Sequence, residues 1–178
     1  MRLTRAAAAA LLATTLLGGC GGEEDDKEQP SDVSPEAGVS GEVGQVDIRD
    51  LFVLGGGDAQ DVPAGGSAPV YLTLINRPAG DEPDPTGGTA AAEDDTLESV
   101  SSTAAGSAEI IGGPVRLPPG QDVRIGPEAR IVLRGLTKEL DSDASIPITL
   151  KFQKAGSVTL SAPVIERQGS YTTFSPAP

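Results

Sequence analysis

The stretch SIPITLKFQKAGSVTLSAPV, residues 145–164, alternates apolar and polar residues in two runs divided by the step Lys-Ala-Gly-Ser at 154–157. Ile146, Ile148, Leu150 and Phe152 fall on one face of the first run, with Thr149, Lys151 and Gln153 on the other. Val158, Leu160, Ala162 and Val164 repeat the alternation after the turn. A period of two, broken by a short Gly-containing turn, predicts an antiparallel β-hairpin.

Outward from this hairpin the same period recurs. Residues 69–75 predict a strand with Val70, Leu72 and Leu74 inward. Strands with a weaker alternation are expected at 46–53, 97–101, 108–111, 115–117, 122–125 and 129–134, separated by Gly and Pro. No segment in this region has a helical period. About eight strands at close spacing within some 120 residues predict one all-β domain, a sandwich or barrel. Aromatic residues make up 3% of the chain, so Val, Leu and Ile must carry the core.

The flanks have a different composition. Arg2 and Arg5 precede a run of about a dozen mostly apolar residues, shorter than the roughly 18 that a membrane-spanning helix needs. The run ends in LLGGCGGEEDD, residues 16–26, which holds the single cysteine, Cys20. A catalytic cysteine needs a base such as histidine, and the chain has none; a disulfide needs a second cysteine. The motif LGGC at 17–20 resembles the lipobox of bacterial lipoproteins, which implies cleavage before Cys20 and acylation of its thiol. Two acyl chains, at about 0.8 kcal/mol per buried methylene, hold a protein stably on a bilayer. The expected address is therefore the extracytoplasmic face of the cell membrane, with the lipid-anchored Cys20 in the bilayer.

Residues 21–44 are rich in Gly, Glu, Asp, Ser and Pro, too polar to offset their own ordering entropy, and predict an acidic flexible tether. Residues 78–95 form an aperiodic acidic loop whose spacing does not match a calcium-binding loop. The polar stretch 166–178 predicts a loosely attached tail. The expected organisation is thus a signal peptide at 1–19, a lipidated tether at 20–44, a β-domain at 45–165 and a flexible tail at 166–178. The chain has 13 basic and 26 acidic residues, a formal net charge of −13, and losing Arg2 and Arg5 with the leader deepens it. Such a charge excludes nucleic acid as a partner and disfavours lying flat on anionic lipid.

The order of short motifs within the domain is similar to that of the PCu(A)C family of extracytoplasmic copper chaperones. These motifs are VDIR at 46–49, YLTLIN at 71–76, DDTLESVSS at 94–102 and AGSAE at 105–109. LPPG at 117–120, RGL at 134–136 and ITLKFQKAG at 148–156 complete the series. The resemblance implies a cupredoxin- or immunoglobulin-like antiparallel β-sandwich. It also implies that Cu(I) ligands, histidine and methionine, would fall at or near Ile111, Arg130 and Val132, with a further methionine near 112–114. None of those positions carries a soft ligand here, and the guanidinium of Arg130 would repel the ion. In having this fold without the ligands, the chain resembles the LpqE-type lipoproteins of actinobacteria.

Neither a resident metal nor another cofactor is expected. Three classes of function stay open. The first is a non-catalytic binding or assembly lipoprotein with a membrane-protein partner, an accessory factor of respiratory copper enzymes. The second is a copper chaperone serving cytochrome oxidase through non-standard ligands. The third, an enzyme, is disfavoured by the lack of histidine, activated cysteine or nucleophile elbow. Arg116, Arg124, Arg130 and Arg134, on strands flanking the end where copper would sit, are the candidate partner surface; the alternative is that each is an outward strand residue balancing local acid.

Overall fold

The computed structural model describes residues 38–57, 61–77, 93–142 and 144–178. The leader, Cys20, most of the expected tether and most of the acidic loop lie outside the described residues.

Among the described residues ten strands follow in chain order: β1 (Val39–Val43), β2 (Val46–Leu54), β3 (Ser67–Asn76), β4 (Asp95–Ser101) and β5 (Ala105–Ile110). β6 (Val115–Leu117), β7 (Asp122–Ile125), β8 (Ile131–Leu136), β9 (Ser145–Phe152) and β10 (Ser157–Ile165) complete them. The hairpin expected at 145–164 is β9–β10, with Leu150 opposite Val158 and Ile148 opposite Leu160. Its inward set is as expected: Ile148 and Leu150 are wholly buried, and Phe152 and Ile146 nearly so.

Hydrogen bonding runs β5-β8-β3-β2-β10-β9-β4-β6, with β1 added to β2 and β7 to β3. This continuous sheet curls over one core. Val46, Ile48, Leu51, Val53, Val70, Leu72 and Leu74 on one side meet Leu97, Leu117, Ile148, Leu150 and Phe152 on the other. β10 is the corner. It is antiparallel to β9, while its end pairs in parallel with β2, through Val164–Val53 and Ile165–Leu54. The wholly antiparallel sandwich expected from sequence is therefore broken at one seam, because β10 leaves one layer and enters the other.

Two flank expectations also need correction. β1 lies inside the stretch assigned to the tether, yet it pairs with β2 through Val43–Val46 and Gly41–Ile48. Val39 and Val43 pack against the core, and that burial orders a segment whose composition reads as polar. The stretch 166–178 is not loosely attached either. It contains the 3-10 helix Gly169–Thr173, and Arg167 locks it by donating from Nε to the Phe174 carbonyl and from Nη2 to the Thr172 carbonyl.

Asp95 was expected at the end of the acidic loop. It instead begins β4, is 4% exposed, and accepts backbone N–H bonds from Thr96, Lys154 and Ala155. The carboxylate ties β4 to the β9–β10 turn, since a buried charge persists only where donors surround it.

The register predicts a contrast between neighbours. Phe152→Ala should cost about 3–5 kcal/mol through the cavity it leaves. Lys151, outward and ion-paired with Glu98 at 3.0 Å, should lose less than about 1 kcal/mol on replacement by Ala. Denaturant melts of the two variants check this, and equal losses would contradict the register.

Candidate functional site

β2 carries an irregularity that shapes the surface around it. Arg49 pairs with Thr73 and Phe52 with Tyr71, so three steps along β2 match two along β3. Asp50 takes up the extra residue with φ 53°, a left-handed conformation that Asp tolerates better than most residues. Past this bulge Leu51 and Val53 face the core, while Phe52 and Leu54 face outward.

The outward side is not solvent. Phe52, Leu54 and Tyr71 form a second buried cluster, closed by Ile165, Tyr171 and Phe174. Four of the five aromatic residues of the chain thus meet at one place. Ring centroids lie 5.3 Å apart for Phe52–Tyr71, 5.3 Å for Phe52–Tyr171 and 4.8 Å for Tyr71–Phe174, the last edge-on. A side chain at Gly126 would put its Cβ 2.9 Å from Tyr71 Cδ1, and its φ of 146° also demands glycine. The Tyr71 hydroxyl donates to the Ser175 carbonyl, and Ser175 N–H donates to the Pro127 carbonyl. Burial pushes the Tyr71 phenol up to about 12, against a smaller opposing pull from Arg167. The Tyr171 phenol is also raised, by burial first and then by the carboxylate of Asp50.

Beside this cluster a cavity of about 460 Å³ opens between β2, β3, β7 and the 3-10 helix. Asp50 and Arg124 supply its charged groups; Phe52, Tyr71, Tyr171 and Phe174 supply aromatic wall. Sequence reasoning missed this site. The available signal was the unbroken apolar run Leu-Phe-Val-Leu at 51–54, which requires both faces of β2 to be covered.

The four arginines of the candidate surface are dispersed. Arg116 lies on β6, on the other layer, and pairs with Asp94. Arg134 stands opposite Ser67, pairs with Glu109 at 3.0 Å and donates from Nη1 to the Pro178 carbonyl at 3.4 Å. Arg124 stands opposite Thr73, about 20 Å further along β3 at roughly 3.3 Å per residue. The Arg130 carbonyl accepts the Ile111 N–H at 2.7 Å.

Ile111 and Arg130, two of the positions assigned to copper ligands, are thus adjacent across β5 and β8. Ile111 is 37% exposed, and Val132 is fully buried. Val132 pairs with Pro69; the segment 175–178 is hydrogen-bonded at Ser175 by Tyr71 and at Pro178 by Arg134. An isoleucine, a valine and a cation do not fit Cu(I). A separate carboxylate trio, Asp61, Glu139 and Asp141, gathers where Val62 bridges Leu140, with oxygens within 4.8 Å of one another. It is exposed and offers only hard donors, a set that suits Ca²⁺ or Mg²⁺ better than Cu(I).

Residues 46–164 match the model of the LpqE-like family. The chain belongs to that family. Among solved structures it is similar to the apo PCuAC domain from PmoF1, with a TM-score of 0.56 and 23% identity. That match covers 72% of this chain and 99% of the other. It is also similar to the copper-bound PCuAC domain from PmoF2, with a TM-score of 0.55 and 22% identity over 72% and 98% of the two chains. The LpqE-like fold is therefore that of PCuAC domains. Comparison with curated proteins gave no match.

The aromatic cluster makes an alkaline prediction. A phenol is neutral when protonated, and the folded Tyr71 value lies above the unfolded one. Its contribution to stability is complete below pH about 10 and is lost as pH rises through about 12. Absorbance titration of the folded protein should show Tyr71 ionising near 12, and Phe174→Ala should return it toward 10. Ionisation of both tyrosines at about 10 in the folded wild type would contradict the packing.

Proposed function

We propose that this LpqE-like chain is a non-catalytic binding lipoprotein, anchored through Cys20 on the extracytoplasmic face of the membrane. In this reading it serves as an accessory factor in assembling respiratory copper-enzyme complexes. What supports this reading is that the PCuAC-type fold is kept while the positions that the sequence resemblance assigns to copper ligands are Ile111, Arg130 and Val132. A scaffold retained without its ligand set points to a role for its surface.

The lipid anchor supplies the location, and the net charge of −13 favours a protein partner over a lipid or nucleic-acid surface. Catalysis has little support, because the chain has no histidine and its one cysteine is assigned to the anchor.

A second reading draws on the copper-bound relative: a chaperone delivering copper to cytochrome oxidase through non-standard donors. Asp61, Glu139 and Asp141 would be its donor set among the described residues. Their hard oxygens compete poorly for Cu(I), which ranks this reading second.

Two measurements test the first reading. Cys20→Ser should abolish labelling by a fatty-acid probe and release the protein from the membrane fraction; undiminished labelling would overturn the anchor. The tagged wild type, purified from detergent-solubilised membranes, should bring with it a haem–copper oxidase visible in its reduced-minus-oxidised spectrum. Purification without that spectrum would overturn the accessory role.

A further inference from the structure

The aromatic cavity asks for a ligand on grounds independent of the anchor and of copper. Its volume of about 460 Å³ lies within the range of small-molecule sites. The chain has no tryptophan and few other aromatics, yet it places Phe52, Tyr71, Tyr171 and Phe174 around this one opening. Tyr171 and Phe174 are half-buried and supply the ring surface that a ligand would meet, while Phe52 and Tyr71 are almost fully covered behind them; such a wall favours a flat apolar body.

The charged groups narrow the class. Asp50 and Arg124 both line the cavity, and neither is ion-paired with any other described residue. Arg124 is in register with Thr73, and Thr73 with Arg49, the neighbour of Asp50. Their backbones are therefore two strand spacings apart, about 10 Å, a gap that one short and one long side chain narrow to the size of a small headgroup. A purely anionic ligand would meet Asp50 unfavourably, and a purely cationic one would meet Arg124. A ligand carrying both charges satisfies both. Its ammonium would also gain from the aromatic faces.

We propose that this cavity binds a small zwitterion with a planar apolar side chain, of the free aromatic amino acid class, with its ammonium toward Asp50 and its carboxylate toward Arg124. The bulge gives the arrangement its geometry. By absorbing one residue at Asp50, it sets a carboxylate at the rim while turning Phe52 into the wall.

The absence of tryptophan from the chain gives a clean probe, since L-tryptophan fluorescence is then free of protein background. Titrating the full chain against L-tryptophan should give a saturable, one-to-one blue shift. Tryptamine, which lacks the carboxylate, and indole-3-propionate, which lacks the ammonium, should bind at least about tenfold more weakly, about 1.4 kcal/mol. Asp50→Asn keeps a residue that accepts the left-handed conformation, and Arg124→Gln changes an exposed side chain, so both should melt like the wild type. Each should weaken L-tryptophan binding at least about tenfold, and in Arg124→Gln the disadvantage of tryptamine should disappear. The proposal is overturned by a lack of saturable L-tryptophan binding to the wild type. Equal binding of the three probes, or unchanged affinity in both variants, would overturn it too. None of these outcomes bears on the fatty-acid labelling or the oxidase spectrum.

Discussion

The bulge at Asp50 is the constraint on which the two halves of the structure depend. Simple alternation from Val46 and Ile48 would send Asp50 and Phe52 into the core and leave Leu51 outside. One residue in the left-handed region, at a cost of about 1–2 kcal/mol, resets the phase. Leu51 and Val53 are then fully buried, each worth about 1.5–3 kcal/mol, so the exchange is favourable. The same shift turns Phe52 and Leu54 outward, where they hold the segment after β10. The main core and the aromatic cluster are two faces of one strand.

Because β2 sits between β3 and β10, its phase reaches the rest of the sheet. Tyr71 on β3 meets Phe52, and the end of β10 runs parallel to β2 and delivers Arg167, Tyr171 and Phe174 to the cluster. Beyond the cluster, Arg134 donates to the Pro178 carbonyl.

Strand identity was legible where one face meets water. In β9, Ile146, Ile148, Leu150 and Phe152 announce their side, and β6 and β7 fall at the expected residues. In β2 the strand was legible at 46–53, but the covering of both its faces was not, because a run such as 51–54 carries no period. Legibility fails where order comes from elsewhere. β1 is polar by composition and is ordered by pairing with β2 and by burial of Val39 and Val43. The final segment reads as a tail because its two aromatics, Tyr171 and Phe174, find their partners in strands a hundred residues earlier. The four candidate arginines are dispersed for a similar reason: the sequence orders the strands, but pairing decides which layer each one joins. The resemblance to copper chaperones was carried by hairpin and turn motifs, which report the scaffold, and scaffold is what the PCuAC structures share with this chain.

The central claim is that a PCuAC-type scaffold persists here without a Cu(I) site. The chain has no histidine, and its single methionine and single cysteine, Met1 and Cys20, both lie outside the matched region 46–164. The most direct test is Cu(I) titration of the full-length protein with Cys20 replaced by Ser, in competition with a moderate-affinity Cu(I) chelator. Thermal melts with and without the ion give a second readout. A bound ion at 100 times its dissociation constant would add about 2.7 kcal/mol of stability, readily seen in a melt. The account predicts that the chelator keeps the copper and that the melting temperature does not move. One equivalent of Cu(I) retained by the protein, with a raised melting temperature, would contradict it.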